Sequence, residues 1–263
     1  MSHNLTSQKN MFWDTHTHLY LKEFDADRPD VIRKAVENSV TTMLLPNIDA
    51  ETIHPMRQLC EQFPEHCFPT AGLHPTSVNR NYRDEMAIVE NELKTKKCYA
   101  VGETGMDLYW DATFFKEQEY CFNRQLELAL QYNLPIIIHS RNALSEIFDI
   151  LKSFGNRLPA GVFHCFPGNV ADAEKAIKLG FYLGIGGVVT FKKSTQNEII
   201  QAIPLQHIVL ETDAPYLTPV PFRGKRNESF HIPIIAKHIA DQLNMTLETV
   251  RDVTTKNALD IFY

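Results

Sequence analysis

Short apolar runs recur along the chain at residues 11–14, 42–45, 68–71, 98–101, 134–138, 161–163, 181–185 and 207–210. Most are continuous rather than alternating, which suits parallel strands covered on both faces. Between them the apolar positions take a helical period, over residues 30–38, 53–62, 83–94, 115–131, 142–154, 170–179 and 195–202. Strands alternating with such segments predict an α/β fold with crossover helices, and eight strands suit a TIM-like (β/α)8 barrel. Residues 231–243 and 247–262 add two C-terminal closing helices, the second with Thr246 as N-cap. A doubly wound open sheet has the same periodicity. The first strand, however, is not followed by the glycine fingerprint of a dinucleotide site. With no repeat, low-complexity tract or linker, residues 1–263 read as one barrel domain.

Polar residues follow the predicted strands in a recurring way. The first run ends in Asp14-Thr15-His16-Thr17-His18, and in an extended segment His16 and His18 project to the same side. Glu103 follows the fourth run, His139 the fifth and His164 the sixth, while Glu211 and Asp213 follow the eighth. In a parallel barrel these strand ends share one face, where the chemistry is placed. Each residue alone reads equally well as a helix cap, a surface group or a satisfied core residue. Together they form a nitrogen and oxygen donor set, because buried carboxylates beside imidazoles need a cation or hydrogen-bond partners. Six donors exceed what one catalytic zinc needs and suit a pair of divalent ions. One ion could take His16, His18 and Asp213, the other His139 and His164, with Glu103 bridging. His74 follows the weak third run and reads either as a pocket-lining proton donor or as a structural loop histidine.

The formal net charge of −6 argues against a protein that holds duplex nucleic acid through its backbone. One local exception is the loop 214–227, where Arg223, Lys225 and Arg226 form a basic patch suited to phosphate, and Phe222 or Tyr216 could stack on a base. A solvated loop would look the same. Lys192 and Lys193 could add positive potential at the rim, and Gly184, Gly186 and Gly187 could let backbone approach the pocket. Five cysteines, odd in number and without a CxxC pair, argue against a disulfide scaffold and against a thiolate metal site. The chain has neither a P-loop nor a serine nucleophile elbow. No apolar run is long enough to span a bilayer, and the first ten residues lack a secretion signal. The expectation is a cytoplasmic protein, monomeric and without an obligate protein partner.

The segments Phe12-Trp13-Asp14-Thr15-His16-Thr17-His18-Leu19, Gly72-Leu73-His74-Pro75, Val101-Gly102-Glu103-Thr104-Gly105, Ile138-His139-Ser140-Arg141, Phe163-His164-Cys165, Glu211-Thr212-Asp213-Ala214-Pro215 and Arg223-Gly224-Lys225-Arg226-Asn227 run nearly the whole chain. In this order they resemble the TatD family of metal-dependent deoxyribonucleases. The resemblance implies a TIM-like barrel with two metal ions on His16, His18, Glu103, His139, His164 and Asp213, and with Glu103 as the bridge. It puts His74, Glu211 and Arg223 at the substrate pocket. It also implies cleavage of DNA phosphodiesters, including removal of nucleotides from 3′ ends, supported by magnesium or manganese, with zinc able to occupy the site. The expected partner is DNA, as single strands or frayed ends, and Asp213 and Glu103 would carry the catalysis. Two positions depart from the family pattern. Asn142, where many relatives have aspartate, should still cap the following helix, and Pro167 replaces a small hydroxyl residue. The same centre would also suit a small ester, amide or aminoacyl substrate. A non-catalytic metal-stabilised nucleic-acid binder and a protein-interaction scaffold are the readings outside enzymes.

Overall fold

A computed structural model describes residues 10–263. Eight strands are present: β1 (Phe12–Asp14), β2 (Val40–Leu45), β3 (Cys67–Pro69), β4 (Val101–Asp107), β5 (Ile136–Arg141), β6 (Gly161–Phe163), β7 (Phe181–Ile185) and β8 (Ile208–Leu210). They alternate with α1 (Arg28–Glu37), α2 (Ala50–Gln62), α3 (Tyr82–Thr95), α4 (Phe115–Tyr132), α5 (Leu144–Ser153), α6 (Val170–Lys178) and α7 (Gln196–Ala202). The chain then adds α8 (Ile232–Leu243) and α9 (Leu247–Phe262). All strand pairs are parallel, in the orders β1-β2-β3 and β4-β5-β6-β7-β8.

Backbone hydrogen bonds join the two sheets along both seams. Between β3 and β4, Tyr99 N donates to Pro69 O (3.0 Å) and Gly102 N to Ala71 O (2.9 Å). Between β8 and β1, Thr15 N donates to Leu210 O (3.0 Å) and Asp213 N to His16 O (2.9 Å). The sheet therefore closes on itself, which leaves no free edge.

Packing tells the same story. Trp13, Leu44, Phe68, Ala100, Ile137, Val162, Tyr182 and Val209 belong to one cluster, one residue from each strand or the position beside it. That cluster fills the barrel interior. Ala258, Ile261 and Phe262 of α9 join it from below. The neighbours of these residues on each strand, such as Ile136 and Ile138 on β5, pack outward against the helices. Both strand faces are thus apolar, which explains the unbroken runs.

Local sequence starts several of the helices. Asp49 with Thr52 and Asn169 with Asp172 form capping boxes on α2 and α6. Thr246 Oγ1 accepts from Thr249 N (3.1 Å), so the expected N-cap of α9 is present. Asn142 does not cap α5: it has φ 54° and is exposed, and the N-cap position falls on Ala143 without a side-chain bond. The expectation for the fourth strand was also displaced. The apolar run at 98–101 lies at its entry, and β4 itself is Val101–Asp107, a segment whose glycines and polar residues mask a wholly buried strand.

Candidate metal centre

Side-chain alternation carries the interior of the barrel up to its mouth. Ile137, Val162 and Val209 point inward, so His139, His164 and Glu211 do too, two residues farther on, while Asp213 follows beyond β8 at φ 55°. On β4 the register shifts between Val101 and Thr104. Asn47 brackets this irregularity, donating to Gly102 O (3.2 Å) and accepting from Glu103 N (3.0 Å). Gly105 is required beside β5, because a Cβ there, at φ 132°, would collide with His139 O.

Glu103 stands at the middle, 2% exposed. Its Oε2 lies 3.1 Å from His16 Nε2 and 3.5 Å from His18 Nε2. Its Oε1 lies 3.1 Å from His139 Nδ1, 3.3 Å from His74 Nε2 and 3.9 Å from His164 Nε2. Asp213 Oδ1 lies 3.5 Å from His18 Nε2, and Asp213 Oδ2 3.8 Å from His164 Nε2. The imidazoles of His16 and His164 stack at 3.5 Å between centroids. Distance alone groups His16, His18 and Asp213, then His16, Glu103 and His164, then His74, Glu103 and His139.

The outer nitrogens decide which imidazoles present a lone pair. Tyr20 OH donates to Pro46 O, so it accepts from His18 Nδ1 (2.8 Å) and leaves His18 Nε2 free. Asp107 Oδ2 accepts from His139 Nε2–H (3.0 Å), which turns Nδ1 toward Glu103. Glu211 Oε1 lies 3.0 Å from His164 Nδ1, at ion-pair distance though not aligned for a hydrogen bond, and orients that ring in the same sense. His74 is reversed. Its Nδ1 accepts from Thr76 N (3.2 Å), so its Nε2 carries the hydrogen and points a donor at the centre. His74 thus differs from the other imidazoles in its hydrogen bonding, although distance alone groups it with Glu103 and His139.

Electrostatics follow from this crowding. Burial alone would raise Glu103, but His16 and His74 outweigh it and hold the carboxyl well below the usual range. Asp213 behaves likewise, burial being overcome by His164 and then His18 and His16. Burial pulls His16 down to about 4, with His164 adding to it. Burial also acts on His164, yet Glu211 and Asp213 push it up to about 10. Rings stacked at that distance do not both carry a positive charge. Among the described residues, every ion-pair partner of Glu103 and Asp213 is an imidazole. Two buried carboxylates ringed by imidazoles, with no lysine or arginine at ion-pair distance among the described residues, suit divalent cations.

The remaining expected residues lie elsewhere. Glu211 is 1% exposed and sits behind His164, accepting from Cys165 N (2.6 Å), so it does not line the cavity. Gly184 makes room for it, since a Cβ there would strike its carboxylate. Arg223 lies over Phe191 (3.8 Å), and Lys225 borders a separate depression with Phe222 and Arg226. Neither lines the cavity at the centre. Arg226 is committed to Asp27 (2.7 Å) and Glu228 (3.1 Å), and Phe222 stacks on His231. Tyr216 does line the cavity and is half exposed. Sequence reading gave no role to Tyr20 or Asp107. Their signal was positional: each lies two or four residues beyond a candidate ligand on the same segment.

The centre opens into a cavity of about 770 Å³ lined by His18, His74, His139, His164, Asp213 and Tyr216, among others. The sequence pattern of the TatD related DNase family matches residues 13–263. The chain belongs to that family. YabD of Bacillus subtilis, described as an uncharacterised metal-dependent hydrolase, is 36% identical over 96% of this chain and 99% of its own. The 3′-5′ ssDNA/RNA exonuclease TatD of Pantoea ananatis is 31% identical over 95% and 98% of the two chains. Among solved structures, the TatD homologue YJJV of Escherichia coli superposes with a TM-score of 0.89 at 28% identity, covering 95% of this chain and 97% of that one. This TatD-family member is therefore a hydrolase of the metal-dependent kind that its donor set suits. No helix of the described residues is long and apolar enough to cross a membrane.

Proposed function

We propose that this TatD-family hydrolase removes nucleotides from the 3′ ends of single-stranded DNA, using two divalent ions on His16, His18, Glu103, His139, His164 and Asp213. The observation that carries the reading is Glu103, whose two carboxylate oxygens face two different sets of imidazoles. The relatives described as 3′-5′ ssDNA/RNA exonucleases support the substrate class. Magnesium or manganese suits the oxygen-rich transition state, and zinc suits the imidazoles. Bound ions would supply Lewis acidity and lower the pKa of a water.

The chain's own groups do the rest. Asp213, held ionised, orients the attacking water and accepts its proton. His74 presents Nε2–H to a phosphoryl oxygen. The phosphorus–O3′ bond breaks, and the released 3′ oxygen gains a proton. Glu211 and Asp107 are positioning residues for His164 and His139. One barrel domain carries all of this. Five free cysteines favour a reducing compartment, the cytoplasm, and nothing in the site calls for a second subunit.

The test uses 5′-labelled single-stranded DNA with magnesium, manganese or zinc. Stepwise shortening from the 3′ end is expected, with kcat falling by roughly 100-fold or more in Glu103→Gln. Turnover of acyl esters but of no phosphodiester would overturn the reading.

A further inference from the structure

Beside the metal centre stands a group of side chains that the mechanism leaves unused. Tyr109 and Trp110 are 53% and 68% exposed, among the most exposed large apolar residues of the described chain. Their rings meet edge to face at 5.0 Å. The Arg141 guanidinium lies 3.9 Å from the Tyr109 ring centre and 4.9 Å from that of Trp110. Among the described residues no carboxylate lies within ion-pair distance of Arg141. Trp110 and Arg141 line the same cavity as His139 and Asp213.

The backbone beneath these rings is tied to the centre. Asp107 Oδ1 accepts from Tyr109 N (3.0 Å) and Trp110 N (3.2 Å), while its Oδ2 holds His139 Nε2 (3.0 Å). Arg141 follows His139 by two residues on β5. One carboxylate therefore fixes both a candidate metal ligand and the loop that displays the rings. The rings are thereby held beside the donor set.

We propose that Tyr109, Trp110 and Arg141 form a subsite for an unpaired nucleobase and its phosphate, one nucleotide or so from the bond being cut. The inference rests on the nuclease reading above and adds the element that selects single strands. Aromatic faces accept any base, because every base has a π-face, and arginine adds both stacking and a phosphate contact. A base paired in a duplex keeps its faces covered by its neighbours and cannot use the platform. In this arrangement Arg141 supplies a positive charge beside the centre.

Fluorescence tests the platform without relying on turnover. The chain has two tryptophans, and the other, Trp13, is 3% exposed inside the barrel. A short phosphorothioate oligothymidylate added with magnesium should quench the exposed, Trp110-derived part of the emission. Trp110→Phe should lose the signal and keep the affinity, whereas Trp110→Ala and Arg141→Ala should bind roughly 5- to 100-fold more weakly. An abasic analogue placed in turn at each of the last positions should weaken binding to the native protein at one position only. Trp110→Ala should show no further loss there. Unaltered affinity in Trp110→Ala, or equal abasic penalties in both proteins, would overturn the subsite. If the oligonucleotide binds with quenching while no phosphodiester is ever cleaved, the nuclease reading fails and the binding subsite stands.

Discussion

At the scale of single residues, the centre depends on groups that never face the substrate. Tyr20 OH holds His18 by its Nδ1–H (2.8 Å), and so decides which nitrogen has a free lone pair. Tyr20→Phe should therefore weaken divalent-ion binding by roughly 10- to 100-fold while the fold persists, because second-layer partners set ligand orientation. Isothermal titration with manganese, beside a thermal melt of the chelated protein, separates the two effects. Unchanged affinity would show that His18 is oriented by packing alone. The convergence of the candidate donors was legible in the sequence, since strand ends of a parallel barrel share a face and the donors follow the apolar runs. The tautomers were not legible. They depend on Tyr20, Asp107, Glu211 and Thr76, which touch their histidines only once the barrel has closed. Arg223 and Lys225 show the converse, since their charge was visible in the sequence but their placement away from the cavity was not.

At the scale of elements, the segment between β8 and α8 is held by buried polar groups and not by regular structure. Asn227 Nδ2 donates to Thr212 O (2.8 Å) and Tyr216 O (2.7 Å), bracing the turn that carries Asp213. Asn227→Ala leaves those buried carbonyls without their donor and should cost about 1–3 kcal/mol, read as a lower midpoint in urea. His231 accompanies it, its Nδ1 2.7 Å from Asn227 Oδ1 and its ring against Phe222 and Phe230. Burial, with Lys34 adding to it, pulls His231 down to about 4. The unfolded chain, with an ordinary histidine near 6.5, takes up that proton first. The neutral ring's contribution is thus complete above about pH 6.5 and is lost as the pH falls toward 4. The melting temperature of the native protein should drop more steeply across this window than that of His231→Gln. Parallel slopes would assign the acid sensitivity to other groups. The helices and most strands here were readable from periodicity and caps. β4 was not, because Gly102, Glu103, Thr104 and Gly105 serve the site and interrupt its apolar pattern.

At the scale of the whole molecule, closure was the step that periodicity left open, since an open sheet repeats in the same way. It is settled by contacts far apart in sequence, such as Thr15 to Leu210, and by one interior residue contributed at each strand. The end of α9 completes that interior, with Ala258, Ile261 and Phe262 beneath the strands and Tyr263 edge-on to Trp13 at 5.6 Å. The floor makes the barrel a blind-ended vessel, entered and left by a single mouth. On the proposed nuclease reading, a strand end seated in it would have no rear exit through which to thread, and the detached nucleotide would leave past the strand that brought it. Cutting and letting go would then be coupled, with the shortened strand returning to solution between events. With DNA in excess, products should descend as an even ladder across the whole population, and a trap of unlabelled strand added mid-reaction should stop the labelled one. A few strands consumed to the end beside an untouched majority would mean that the chain grips its substrate outside the vessel as well.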